Sequence, residues 1–338
     1  MNITDFFTLE DFKMSIPFTA LGARVCYNAG DLQSLLNDPR VVDKQTRAEF
    51  LSKLGNYKHF SVFAHSFAYK KVGELNALKI AATYFKSHYN PEYPDVVGVS
   101  LRHYLEDLLK KDPNQYIKAF EKIAEFDIPI QPLGQKENVS LIGLLKEYDG
   151  YAVFFIDNVS RTLTHQLVRH TALNFSQRSQ RYVREEENYV ITPPSILENQ
   201  ETLTLQSIEK LKDVFDEMLN IIKTSQTNPS QTVKDSIQVL EERVNKVKLK
   251  KHLKASDIAK IHDEMSQLIY DLLVHHYKIK REDARFFLPN GRRTTIVVSG
   301  TLYWIKDFIL KRTEPHAQWE IRSIANQMKE LLQEQGVL

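Results

Sequence analysis

Tyr151-Ala-Val-Phe-Phe-Ile-Asp-Asn-Val-Ser-Arg-Thr-Leu-Thr-His-Gln-Leu-Val-Arg-His-Thr171 is the stretch that decides the fold class. Its first six residues are apolar, aromatic or β-branched without alternation, which predicts a buried strand. A helix is predicted to follow over about 159–171. On that helix Gln166 and Arg169, three residues apart, would share one face. Downstream, residues 189–194 run extended into Pro193 and Pro194, because proline disfavours helix in the residue before it. Leu211, Val214, Phe215, Met218, Ile221 and Ile222 repeat at helical spacing, as do Ile258, Ile261, Met265, Leu268, Ile269 and Leu272. Between them, residues 223–255 are polar and basic, with Lys246, Lys248, Lys250, Lys251 and Lys254. A β-rich run at 294–298 precedes helical patterns over 302–310 and 317–332. Upstream, 17–69 reads as a compact opening segment. Phe60, Val62 and Ala64 alternate with Ser61 and His65, which predicts a strand within 58–69. Residues 70–147 read as mostly helical, with patches at 101–111 and 116–126. Separate helices and strands without a βαβ rhythm and without internal repeats define an α+β chain.

Composition narrows the function classes. The chain has 338 residues, enough for two domains or one large domain with insertions. Lys plus Arg number 45 against 43 Asp plus Glu, and this balance argues against a dedicated nucleic-acid binder. One cysteine, Cys26, excludes an intramolecular disulfide framework and a cysteine-rich zinc site. No histidine spacing predicts a metal site. No apolar run approaches a membrane span, and the acidic start (Asp5, Glu10, Asp11) is unlike a signal peptide, so a cytoplasmic location is expected.

Three clusters carry chemistry. The densest is Thr164-His-Gln-Leu-Val-Arg-His-Thr-Ala-Leu-Asn-Phe-Ser-Gln-Arg-Ser-Gln-Arg-Tyr182. Arg169, Ser179 and Arg181 could supply forked donors and a hydroxyl to a phosphate, or could simply form a solvated helix end and polar loop. The second is Ala284-Arg-Phe-Phe-Leu-Pro-Asn-Gly-Arg-Arg-Thr-Thr295. There Arg285 precedes an apolar run and needs either an anion or a salt bridge to Glu282 or Asp283. The third is Lys311-Arg-Thr-Glu-Pro-His-Ala-Gln-Trp-Glu-Ile-Arg322. Arg312 and His316 flank its helix start, and Glu314 and Glu320 offer ordinary pairing to Arg312 and Arg322. Phosphate loops, dinucleotide fingerprints and the HExxH motif are all missing. Cys26 lacks an obvious base and reads as a small buried residue.

Taken together, these clusters resemble the flavin-dependent thymidylate synthases (ThyX). The hallmark of that family is Arg-His-Arg, seven residues, then Ser; here Arg169-His170-Thr171 is followed by seven residues and Ser179. Ala23-Arg-Val-Cys-Tyr27, His59-Phe-Ser-Val-Phe63, Ala284-Arg-Phe-Phe-Leu-Pro289, Ile296-Val-Val-Ser-Gly300 and His316-Ala-Gln-Trp-Glu-Ile-Arg322 also look like family blocks, in family order. The resemblance implies a twisted antiparallel sheet with flanking helices. It implies one domain over 1–338, with helical insertions at about 70–147 and 223–255. The implied reaction is reductive methylation of dUMP to dTMP. Methylenetetrahydrofolate would give the carbon, and FAD, recharged by NADPH, the hydride. No enzyme cysteine is needed, and a homotetramer is expected.

Carried over by position, the resemblance assigns dUMP to Gln166, Arg169, Gln177, Ser179, Arg181, Arg285 and Arg312. Arg312 would be the catalytic residue that favours negative charge on the pyrimidine. It assigns FAD to His59, Ser61, Arg169, His170, Thr171, Gln177, Thr301, Tyr303, Asp307 and His316. Departures gather on the flavin side. Ala64 stands where a Glu is usual, Thr171 for the third residue of Arg-His-Arg, Thr301 and Asp307 for Asn, and Tyr303 for Arg. A methyltransferase for another pyrimidine nucleotide, or a non-catalytic nucleotide-binding relative, fits the same residues.

Overall fold

The computed structural model describes residues 1–126, 128–185, 189–203, 205–224, 229–250 and 252–338. The chain divides into two compact units. The first comprises 1–159, 163–179 and 294–338; the second comprises 160–162 and 180–293. The sequence predicts one domain carrying insertions.

A five-stranded sheet organises the first unit. Its strands are β3 (Gly134–Gln135), β4 (Val139–Leu145), β5 (Tyr151–Ser160), β6 (Asn174–Gln177) and β7 (Arg293–Thr301), in the order β3-β4-β5-β7-β6. β3/β4, β4/β5 and β6/β7 pair antiparallel. Alternation along β5 explains its unbroken apolar sequence. Ala152, Phe154 and Ile156 join one buried cluster with helices Leu302–Arg312 and Trp319–Glu334, while Tyr151, Val153 and Phe155 join another with helix Ile16–Tyr27. In β7, Ile296 and Val298 face the first cluster and Val297 the second. The sheet is therefore a middle layer, covered on both faces. A bulge between Leu141 and Gly143 bends β4 at the point where the Phe18 ring occupies the space a side chain at 143 would need. Helix Trp319–Glu334 shows the complementary period: Ile321, Ile324, Ala325, Met328, Leu331 and Leu332 are buried, and the Gln318 side chain accepts from the amides of Glu320 and Ile321 at its start.

Three expectations are corrected. Residues 60–65 are a 3-10 helix, Phe60–His65, and strand begins only at β1 (Phe67–Lys71). The chain turns through a positive φ at Lys58, and Val62, Phe63, Ala64 and His65 are buried in succession, so the apparent alternation is not a strand face. The helix predicted over 159–171 is Arg161–Leu167. Val159 and Ser160 end β5, and Arg169 lies in the turn beyond the helix, not on its face with Gln166. Among its described residues, segment 70–147 holds the helices Glu74–Thr83, Leu101–Lys111 and Pro113–Ile123, but also β2 (Val96–Ser100), which pairs with β1, and β3 and β4 of the main sheet.

The second unit is helical. Helices Leu205–Thr224, Gln231–Lys248 and Ala255–Asp271 share a core containing Leu219, Val233, Leu240, Val244, Met265 and Leu268. Of the residues expected to line these helices, the side chains of Leu211, Phe215 and Ile222, and the whole of Lys251, lie outside the described residues. Among the described residues no helix is long and apolar enough to cross a membrane.

Candidate active site

His170 is the pivot of the first unit's site. It lies in the turn after helix Arg161–Leu167, with its amide on the Leu167 carbonyl. Its ring stands edge-on to Phe308 at 4.9 Å. Arg312, the last residue of helix Leu302–Arg312, donates from Nε to His170 Nε2 at 2.9 Å. A guanidinium can only donate, so His170 Nε2 accepts and its proton sits on Nδ1. Burial first, then the Arg312 charge, hold the imidazole below its usual pKa. The outcome is a neutral ring that keeps one N–H donor beside a fixed cation. Residues 142 positions apart are joined by this contact.

Around the pivot, Gln177 on β6 donates to the hydroxyls of Thr164 (3.0 Å) and Thr294 (3.2 Å). Ser179 follows β6, with its amide on the Cys26 carbonyl at 3.2 Å. Gln166 is half-buried at the end of its helix. The Arg169 side chain is exposed and has no polar partner among the described residues, and Thr171 beside it is exposed too. On helix Leu302–Arg312, Thr301 occupies the N-cap with its hydroxyl buried and, among the described residues, unpartnered. Tyr303 is exposed against Trp304 at 5.0 Å and His88 at 6.1 Å. Asp307 is paired with Lys311 at 2.8 Å. His59 and Ser61 are exposed on the 60–65 turn, with His59 Nδ1 3.2 Å from the Tyr27 hydroxyl. His316 is exposed in the turn before helix Trp319–Glu334.

Beneath these groups lies a buried polar chain. His65, fully buried, meets Ser299 Oγ through Nδ1 at 2.8 Å and Ser176 Oγ through Nε2 at 2.9 Å. Ser299 also meets the Tyr151 hydroxyl at 2.8 Å, which Asn174 reaches at 3.1 Å. Burial, with Lys86 nearby, pushes the His65 pKa down to about 3, so the ring is neutral. This chain fixes β6 against β7 under the site. The sequence reading missed it, because His65 looked like one residue of a strand. Cys26 is partly buried, and burial pushes its thiol up to about 11, which leaves it unreactive at neutral pH.

Two further expected residues belong to the second unit. Arg181 binds Glu282 Oε2 through Nε at 3.0 Å and Nη2 at 2.9 Å, and Arg285 donates from Nε to the Glu282 carbonyl at 3.2 Å. The salt bridge considered for Arg285 is thus made by Arg181 instead. Arg292 is a buried cation of this unit, 1% exposed, which donates to Gln267 Oε1 at 2.6 Å and lies 4.0 Å from Glu185.

By itself the first unit presents Arg169, Arg312, a neutral histidine and hydroxyls, a donor set for an anionic, carbonyl-rich ligand. A family model, thymidylate synthase complementing protein, matches residues 150–335, and the chain belongs to that family. The flavin-dependent thymidylate synthase of Corynebacterium diphtheriae is 28% identical over 187 residues, 55% of this chain and 58% of the relative. That of Corynebacterium efficiens is 31% identical over the same shares. The chain therefore spans little more than half the length of these curated relatives. Among solved structures, thymidylate synthase X from Helicobacter pylori with FAD and dUMP aligns over 54% of this chain and 67% of that one, at 15% identity and a TM-score of 0.32. The family model's match excludes 1–149, so the assignments of His59 and Ser61 rest on the motif resemblance.

Proposed function

We propose that this protein is a flavin-dependent thymidylate synthase that converts dUMP to dTMP. The observation that carries the reading is the 2.9 Å contact of Arg312 with His170, made by two residues of separate motifs inside the family match. In the reaction the C5 proton of dUMP leaves, C5 bonds to the methylene carbon of methylenetetrahydrofolate, and a hydride reduces that carbon to methyl. Tetrahydrofolate departs. FAD, when bound and recharged by NADPH, supplies the hydride.

The residues present suit such a group. The unpartnered Thr301 hydroxyl, the His170 Nδ1–H and the exposed Arg169 guanidinium offer donors to flavin carbonyls or phosphate. Gln177, Tyr303, Asp307, His59, Ser61, Thr171 and His316 complete the cofactor set that we propose. For dUMP, Gln166, Arg169, Gln177, Ser179, Arg181 and Arg285 bind and orient the nucleotide. Arg312 stabilises the negative charge that develops on the pyrimidine. Its orientation is preset by His170, so little reorganisation is needed when that charge appears. His170 stays neutral, so it adds no second positive charge to compete for the same anion. A cytoplasmic homotetramer completes the reading, supported by the family resemblance.

The test is visible absorption of the purified chain with FAD, before and after dUMP, followed by dTMP formation in the presence of methylenetetrahydrofolate and NADPH. A bound-flavin spectrum perturbed by dUMP, with turnover, is expected. Arg312→Ala should bind flavin and lose about a hundredfold or more in rate. A folded sample that binds no flavin and forms no dTMP overturns the reading.

A further inference from the structure

Within the first unit, a cavity of about 580 Å³ is walled by Tyr84, Lys86, Arg102, His103 and Ala64, which lie outside the family match, and by Asn174, which lies within it. Its size is that of a small-molecule pocket. Lys86 is its unusual member. It holds a left-handed backbone conformation (φ 62°), which a non-glycine residue adopts at a cost and which clusters at functional positions. Its ammonium donates to two neutral oxygens, the Leu173 carbonyl at 2.5 Å and Asn174 Oδ1 at 3.3 Å, and no carboxylate pairs with it among the described residues.

The two acids of the lining are already engaged. Asp107 Oδ2 accepts from the Ile3 amide at 3.0 Å and from the Tyr84 hydroxyl, and Glu106 binds Arg102 at 2.9 Å. Burial and the neighbouring Arg102 charge both weaken proton binding at Lys86. Lys110, 4.0 Å from Asp107, also lines the cavity, so three side-chain cations face it against two carboxylates, both of them already engaged. A half-buried cation without a counter-ion is costly unless an anion completes it. The rings beside it add a second signature. Tyr84 and His103 lie 5.4 Å apart, the Lys86 ammonium sits 5.5 Å from the Phe85 ring centroid, and Phe85 itself is 72% exposed. Burial pushes His103 down to about 4, so it offers a neutral ring at physiological pH.

We propose that this cavity binds a phosphorylated ligand carrying a planar ring, a nucleotide in chemical class, with phosphate on Lys86 and Arg102 and the ring against Phe85 and Tyr84. Geometry, missing counter-ion and exposed aromatic surface each point to that pairing. The site does not depend on the thymidylate synthase reading.

Calorimetric titration of the full chain with ADP tests it. ADP should bind, less tightly as salt is raised. Lys86→Met should weaken binding about tenfold or more, Arg102→Gln should weaken it too, and Lys86→Arg should keep it within a few-fold. Arg102 is partly exposed, so its variant reports on the site even where Lys86→Met fails to fold. Competition identifies the physiological source: displacement of ADP by FAD points to a cofactor's diphosphate, displacement by dUMP to a substrate's phosphate. Inorganic pyrophosphate binding as tightly as ADP overturns the ring contact. Absence of ADP binding, or affinity unchanged by both neutralising variants, overturns the site. The titration needs no turnover, so its result stands apart from any failure of dTMP synthesis.

Discussion

Replacing His65 with a residue that cannot titrate should change how stability depends on pH. His65 is fully buried between Ser176 and Ser299, and its pKa falls from 6.5 to about 3 through burial, with Lys86 adding repulsion. In the unfolded chain the ring takes up a proton as pH drops below about 6.5, whereas the folded ring stays neutral until near pH 3. The unfolded state then binds more protons, so stability falls with falling pH. The contribution is whole above the unfolded pKa and is lost progressively down to the folded one. Linkage gives about 2 kcal/mol lost between about pH 7 and about pH 5, and about 5 kcal/mol across the whole window. His65→Gln removes that term. It also perturbs two buried hydrogen bonds and should cost about 1–3 kcal/mol near neutral pH. Urea unfolding followed by circular dichroism at the two pH values measures both. The stability gap between wild type and His65→Gln should shrink by about 2 kcal/mol at the lower pH. A gap that stays constant while both proteins weaken together would show that His65 does not titrate on unfolding, and the reasoning would fail.

Other outcomes follow from neighbouring geometry. Gly22→Ala places a methyl 2.5 Å from His65 Cδ2 and should destabilise by about 1–3 kcal/mol, read as a lowered melting temperature; no change would mean that the ring yields freely. Arg292→Leu leaves Glu185 without the buried cation 4.0 Å away and removes a positive charge near the fully buried Asp271, which keeps Arg184. It should cost about 3–5 kcal/mol, with faster amide exchange in residues 180–293; unchanged exchange there would refute it. Glu282→Gln removes the carboxylate that holds Arg181. Stability should change by less than about 1 kcal/mol, since the pair is exposed, while dUMP binds more tightly in calorimetry; weaker binding would show that Glu282 positions Arg181 rather than competes for it.

The readable part of the fold is where local period and burial coincide. The apolar run of 151–156 announced β5, and the spacing of Ile321, Ile324, Met328 and Leu331 announced the last helix. The 58–69 stretch misled because a 3-10 turn with four consecutive buried residues imitates alternation over a short window. Segment 70–147 misled for another reason. Its helices are local and legible, but the place of β4 beside β5 depends on a partner further along the chain. The site divides in the same way. The ordered motifs at 164–182, 284–289 and 311–322 disclosed the family and nominated Arg312, His170 and Arg169.

The sequence by itself determined the α+β class, the central strand, the terminal helices and the family, because each is written in residue type and spacing along a continuous stretch. Only the tertiary structure decided that Arg312 donates to His170, that Glu282 engages Arg181 and Arg285, that His65 is a buried neutral link between two serines, and that Lys86 lines a cavity with no carboxylate paired to it among the described residues. Such contacts join residues as far as 234 positions apart, as His65 and Ser299 are. Their protonation and pairing depend on burial and on charges brought close by folding, which no local pattern encodes.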